Sequence, residues 1–246
     1  MTYCVGLMLD KGLVLMSDTR TNSGVDNISS FKKMVHWSVE GDRIIALMSA
    51  GNLATTQSVV SKLEERSKSP SDRHNSLYDV PTMFQAANIV SDLLRETVQE
   101  TQAENGPDAS GKFTASMILA GQIKGMDPRL FLIYPEGNFI EASEDTPFFQ
   151  IGETKYGRPI ILRGYERDMR FEEAVKLLMV SFDSTLKANL SVGMPLDLLV
   201  LECDNFSPLQ ERRITESDDF FRTISSGWGE ALKNAFDSLP DYPQIG

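Results

Sequence analysis

Cysteine, histidine and basic charge are all scarce in this 246-residue chain, and each scarcity removes a class of function. The two cysteines, Cys4 and Cys203, sit in apolar strand-like runs. They read as buried thiols of a reducing compartment and not as a disulfide framework. With His36 and His74 as the two histidines and no metal-ligand spacing, a zinc site has almost nothing to draw on. Lys and Arg total 24 against 35 Asp and Glu, a net charge of −11. That balance is a poor match to nucleic acid or an anionic membrane surface. There is no basic-then-apolar leader, no long uninterrupted apolar run, no internal repeat and no low-complexity segment. The expectation is a cytoplasmic protein.

What is present suits an ordered core. Hydrophobic residues make up 41% of the chain, enough to argue against disorder. The length suits a single domain over 1–246.

Strand signals open the sequence. Residues 2–9 and 13–17 flank Asp10-Lys11-Gly12, a plausible hairpin turn. A polar loop from Asp18 to Ser30 precedes further strands at 31–37 and 43–50. The apolar spacing then becomes helical over 52–66 and 81–104. Loops rich in Ser, Pro, Asp and Asn at 67–80 and in Gly, Pro and Asp at 106–111 close these two helices. Strands return at 113–122, 130–134 and 139–142. A third helix is marked by Phe171, Ala174, Val175, Leu178, Phe182 and Leu186, with Glu172 and Lys176 spaced to pair. A strand at 196–203 and a helix at 218–238 complete the chain.

Several strands are apolar on both phases, as in Leu13-Val14-Leu15-Met16 and Ile44-Ile45-Ala46-Leu47-Met48. A sheet with one wet face would alternate instead. Two packed sheets with helices outside each would cover both faces. The expected class is therefore α+β, a four-layer αββα sandwich. A doubly wound sheet also buries both faces, but hairpin-linked strands dominate the start.

The most informative residue is Thr2. Initiator methionine is trimmed when a small residue follows, and the new first residue would carry both a hydroxyl and a free amine. A hydroxyl alone is a poor nucleophile, and an amine of pKa about 7.7–8.0 can take its proton near neutral pH. Such a nucleophile needs a cation, an anion to hold the cation, and a donor for the oxyanion. Lys33 is the candidate cation, since period-two alternation puts it on the face of Phe31, Val35 and Trp37. A solvated lysine on an edge strand fits the same pattern. Asp18 is the candidate anion, in phase with Val14 and Met16, although aspartate also commonly ends strands. Gly51 is the candidate oxyanion donor, between an apolar strand and a helix, where an ordinary turn would also need glycine.

The order and spacing of these segments are more specific than any one of them. Thr2, Ser17-Asp18-Thr19-Arg20-Thr21, Lys33-Met34 and Ser49-Ala50-Gly51 together resemble the proteasome β-subunit family of N-terminal nucleophile hydrolases. The stretches Thr2 to Gly6, Val25 to Ile28, Ser181 to Thr185 and Asn189 to Gly193 are most similar to its bacterial Anbu subfamily.

That resemblance implies amide hydrolysis through an acyl-enzyme on Thr2, with no metal or organic cofactor. It implies that Lys33 lowers the pKa of Thr2, that Asp18 pairs with Lys33, and that Gly51 N–H holds the oxyanion. Backbone near Thr21, Asn22 and Gly51 would bind a peptide as an added strand, and Ser49 and Leu53 would line the first specificity pocket. Where the family carries a serine in a Gly-Ser-Gly turn, this chain has Glu153 in Ile151-Gly152-Glu153-Thr154. Ser191 matches a second family serine, and Asn189 is the polar residue nearest its partner aspartate. The resemblance also implies self-assembly into a ring or an open lock-washer and a peptide or amide substrate, and it leaves room for an unidentified delivery partner. The alternatives left open are a silent assembly scaffold and a small-molecule amidase on the same fold.

Overall fold

The computed structural model describes residues 1–22, 28–68, 76–105 and 113–243. In chain order the first strands are β1 (Tyr3–Leu9), β2 (Gly12–Asp18), β3 (Arg20–Asn22), β4 (Ile28–Ser30), β5 (Met34–Val39) and β6 (Arg43–Gly51). Helices α1 (Leu53–Lys68) and α2 (Met83–Asn105) follow. Next come β7 (Ala115–Ile123), β8 (Arg129–Ile133), β9 (Phe139–Glu141) and β10 (Phe148–Gly152). The remainder is α3 (Arg158–Gly164), α4 (Phe171–Ala188), β11 (Leu196–Glu202), β12 (Gln210–Ile214) and α5 (Asp219–Asp237).

Two five-stranded antiparallel sheets carry the fold, in the orders β10-β1-β2-β11-β12 and β5-β6-β7-β8-β9. Their doubly apolar strands serve two interfaces at once. In β2, Val14 and Met16 face α4, while Leu13 and Leu15 face the other sheet. In β6, Ile45 and Leu47 pack with α1 and α2, while Ile44, Ala46 and Met48 join the layer between the sheets. Each central strand thus spends one phase on a helix layer and the other on the opposite sheet. Three buried clusters result, one per interface, and this is the expected αββα sandwich.

Several elements differ from expectation. The polar loop at 18–30 contains a short hairpin of β3 on β4, with Arg20 paired to Ser30 and Thr21 to Ser29. The strand expected at 31 begins at Met34, so Phe31 is exposed and Lys33 precedes the strand. β10, α3 and β12 had no clear sequence signal. β12 is an edge strand of mostly exposed polar residues, and its Arg213 makes a bidentate pair with Asp197 of β11. Glu172 and Lys176 form no ion pair among the described residues; Glu173 bonds Arg170 instead, at the start of α4. Cys203 is half-buried, while Cys4 is fully buried. Parts of the two loops expected at 67–80 and 106–111 lie outside the described residues.

The first strand is anchored from beneath. The Tyr3 hydroxyl shares a hydrogen bond of 2.7 Å with Ser181 Oγ of α4 and accepts one of 2.7 Å from Gln150 Nε2 of β10. Burial pushes this phenol up to about 12, from an ordinary 10. Its folded value lies above its unfolded one, so its stabilisation is complete below pH 10 and is lost as pH rises through 12. A Tyr3→Phe variant is expected to lack about 2–3 kcal/mol of the wild-type loss across that window, since each pKa unit is worth about 1.4 kcal/mol. Denaturant titrations at several alkaline pH values check this. Parallel pH profiles for the two proteins would contradict it.

Candidate active site

Thr2 immediately precedes β1, and the peptide bond that follows it is clamped on both sides. Its carbonyl accepts a 2.6 Å hydrogen bond from Glu153 N, and the next N–H, that of Tyr3, donates to Asp18 Oδ1 at 2.9 Å. Gly152 makes the first contact possible. Its φ is +83°, and a Cβ there would fall 2.1 Å from the Thr2 carbonyl oxygen. Only glycine tolerates both the conformation and the approach.

Asp18 ends β2 and is fully buried. Besides Tyr3 N, its carboxylate accepts from Lys33 Nζ at 2.7 Å and from Gly193 N at 3.3 Å. Burial pushes its carboxyl above the ordinary range, against the pull of Lys33 and the two backbone donors. Lys33 Nζ also donates to Arg20 O at 2.6 Å. An ammonium has three donors, and these contacts use two. Lys33 is thus buried because it is paired, as a charge in a core must be. The amine of Met1 lies close by, its pKa lowered by burial and then by Lys33, with Asp18 opposing.

A cavity of about 480 Å³ opens beside this pair. Thr2, Lys33, Thr21, Ser49, Gly51 and Leu53 all line it, so six of the residues singled out in the sequence meet in one place. Gly51 closes β6 at φ +122°, with its Cβ position 2.4 Å from Thr114 O. Asn22 continues β3 from Thr21.

Buried Glu153 and Asn189 and half-buried Ser191 form a separate chain beside Thr2. Asn189 Nδ2 donates to Glu153 Oε2 at 2.8 Å, and Lys155 N donates to Glu153 Oε1 at 2.7 Å. Asn189 Oδ1 accepts from Ser191 N at 3.0 Å, so Ser191 joins through its backbone. Asn189 Nδ2 also lies 3.8 Å from Met1 Sδ.

Sequence reasoning missed Arg20, Lys32, Thr56, Gln57, Val60 and Ser61, which also line the cavity. The last four share one face of α1 with Leu53, at helical spacing, and that periodicity was the available signal. Among the described residues no cluster of His, Cys, Asp and Glu could hold a metal ion, and no helix is long and apolar enough to cross a membrane.

Residues 2–200 match the family model described as "Proteasome subunit". The Gly-1 mutant of Anbu from Hyphomicrobium sp. strain MC1 superposes with a TM-score of 0.91 at 48% identity, covering 99% of this chain and 100% of that one. The chain belongs to the proteasome subunit family, in its Anbu branch. An Anbu structure from Pseudomonas aeruginosa, described as a helical assembly of the Anbu complex, is 42% identical with a TM-score of 0.89, covering 98% of each chain. "Proteasome subunit beta" from Methanopyrus kandleri is 26% identical over 193 residues, 78% of this chain and 82% of that protein. This Anbu-type chain therefore has the N-terminal nucleophile hydrolase fold, and its family match opens on Thr2.

Proposed function

We propose that this Anbu-type chain is a threonine-type hydrolase of peptide or amide bonds, acting after removal of Met1. The observation that carries the reading is the Thr2 clamp beside a buried Lys33–Asp18 pair, with Thr2 and Lys33 both lining one cavity. In this mechanism the freed α-amine of Thr2, acting through a water, takes the proton of Thr2 Oγ as that oxygen attacks the substrate carbonyl. Lys33 stabilises the developing alkoxide, Asp18 fixes Lys33, and Gly51 N–H meets the oxyanion. The amine product leaves with the proton, and water then hydrolyses the Thr2 ester.

An extended substrate would lie against backbone at Thr21, Asn22 and Gly51, with Ser49 and Leu53 in its first side-chain pocket. Glu153, held by Asn189 and linked through it to Ser191, positions the Thr2 carbonyl through its own N–H. Its buried carboxylate, where the family has a serine, would favour the charged form of a nearby amine.

The test compares two chains on fluorogenic peptide amides, one trimmed to Thr2 and one retaining Met1. Turnover is expected from the trimmed chain alone, because a peptide-bonded nitrogen is no base. Equal turnover by both would count against the mechanism. The helical assembly described for the Pseudomonas aeruginosa relative supports self-association here too, in the cytoplasm, as a ring or open assembly. Sedimentation is then expected well above the 27.4 kDa of one chain, and a purely monomeric protein would oppose that part of the reading.

A further inference from the structure

Four carboxylates are buried among the described residues: Asp18, Glu153, Asp183 and Asp197. Three of them pair with a cation, Asp18 with Lys33 at 2.7 Å, Asp183 with Lys187 at 2.8 Å and Asp197 with Arg213 at 2.7 Å. Glu153 is 5% exposed and forms no ion pair among the described residues. Its two oxygens accept from neutral groups, the Lys155 N–H and the Asn189 amide. A carboxylate shut away from water with neutral donors alone is costly, and an ion-pair partner relieves that cost.

Beside Glu153 lies the start of the chain. Its N–H donates to Thr2 O at 2.6 Å, and the Cβ position of the preceding Gly152 is 3.1 Å from Thr2 Cβ. Asn189 Nδ2, which holds the carboxylate, is 3.8 Å from Met1 Sδ. Met1 therefore stands against the amide that grips Glu153. While Met1 is attached, the Thr2 nitrogen is a neutral amide and the chain's positive end sits one residue further out. The charges acting on that Met1 amine are Lys33 and Asp18. Met1 is itself exposed, so its departure costs little packing. Its departure moves the positive charge onto the Thr2 nitrogen, at the residue whose carbonyl Glu153 already holds.

We propose that Glu153 is the counter-ion of the Thr2 α-ammonium, a cation that exists only once Met1 is removed. This rests on the proposed hydrolase reading for the removal of Met1 and on the unpaired carboxylate for the partner. Trimming then completes a buried ion pair and stabilises the fold. The same pair holds the amine protonated, so the general base becomes available at alkaline and not at neutral pH.

The charged and titratable groups around this amine are Lys33 before β5, Asp18 of β2, the Tyr3 hydroxyl under β1, and Arg20 and Lys32 in the cavity lining; Asn189 and Ser191 are neutral. Lys33 and Asp18 offset each other. Arg20 and Lys32 act against protonation and Glu153 acts for it. An α-amine titrates at about 7.7–8.0 in an unfolded chain. Glu153 raises the folded value above that, so the stabilisation is complete below about pH 8 and is lost as pH rises through about 9.

Full-length chains beginning at Thr2 and at Met1 are melted with and without Glu153→Gln, a substitution of equal size that keeps a side-chain oxygen for Asn189. At neutral pH the Thr2 chain is expected to melt about 5 °C above the Met1 chain, with about half of that gain or more absent in Glu153→Gln. An equal gain in both backgrounds, or none in either, overturns the proposal, and is also the result of a Glu153 that is protonated and neutral. Turnover of a peptide amide by the Thr2 chain is the second readout. Its acid limb is expected to move down by about one pH unit in Glu153→Gln. A purely structural Glu153 would lower turnover and leave the limb in place, which overturns the proposal. Should Glu153→Gln not fold, the two unsubstituted chains suffice. Their melting difference is expected to shrink between about pH 7 and about pH 10, and a constant difference overturns the proposal. If Thr2 takes up no peptide boronate while the melting gain depends on Glu153, the ion pair stands and the hydrolase falls. If Thr2 reacts and the gain does not depend on Glu153, the reverse holds.

Discussion

A Lys33→Met variant is expected to lose about 10²–10³-fold in turnover and to be clearly less stable than the parent chain. The activity loss follows from removing a cation whose effect on a neighbouring pKa is about one to three units. The stability loss has a separate origin. Asp18 is fully buried, and its remaining partners are the N–H groups of Tyr3 and Gly193. Removing one member of a buried pair costs about 3–5 kcal/mol when the other stays charged. Asp18 can escape part of that cost by taking up a proton, since burial already raises its pKa. The variant should therefore lose less at acid pH than at neutral pH. Adding Asp18→Asn should recover some stability and no activity. Recovery is partial because an amide offers one acceptor oxygen where the two remaining donors, Tyr3 N–H and Gly193 N–H, meet different carboxylate oxygens. Thermal melts at two pH values, beside turnover of a peptide amide, check both halves. A Lys33→Met protein with turnover within a few-fold of the parent would remove Lys33 from the mechanism.

The second large effect belongs to Gly51. Alanine at this position meets two obstacles, a φ of +122° and a Cβ position 2.4 Å from Thr114 O and 2.7 Å from Ala115 Cα. Both neighbours are backbone, at the start of β7, and a rotamer change cannot relieve them. Non-glycine residues in such conformations cost about 1–3 kcal/mol before any clash. Relief requires the end of β6 to move away from β7, which re-aims the Gly51 N–H. Loss of one oxyanion donor costs about 10²–10³-fold in turnover. Gly51→Ala is therefore expected to turn peptide over at least about a hundredfold more slowly even at saturating peptide, with weaker binding as well because the substrate also lies against the Gly51 backbone. Weak binding with normal turnover at saturation would leave Gly51 with substrate docking alone.

Much of the fold was legible because burial on both strand faces leaves a plain mark. β2, β6 and β11 read as apolar on both phases, and that alone called for a sheet on one side and helices on the other. α4 was legible by its 3.6-residue spacing. The missed elements lack such marks. β12 is held by backbone pairing and by Arg213 on Asp197, and its polar residues face solvent. α3 is seven residues long with a proline in its first turn, too short to show a period. β10 offers five residues after a turn-rich stretch, of which four are buried.

At the site, Lys33 was singled out by a strand phase that does not exist there, because β5 begins one residue later. Its burial comes from Asp18, a partner 15 residues away that only the fold brings near. Glu153 was visible as a departure from the family pattern, but its grip on the Thr2 carbonyl depends on the β1–β10 register.

The most direct measurement is the intact mass of the purified chain before and after exposure to a peptide boronate or epoxyketone. The account predicts a chain that begins at Thr2 and gains one adduct on that residue, with no adduct on Thr2→Ala. A chain that already begins at Thr2 and gains nothing, or one modified elsewhere, would contradict it.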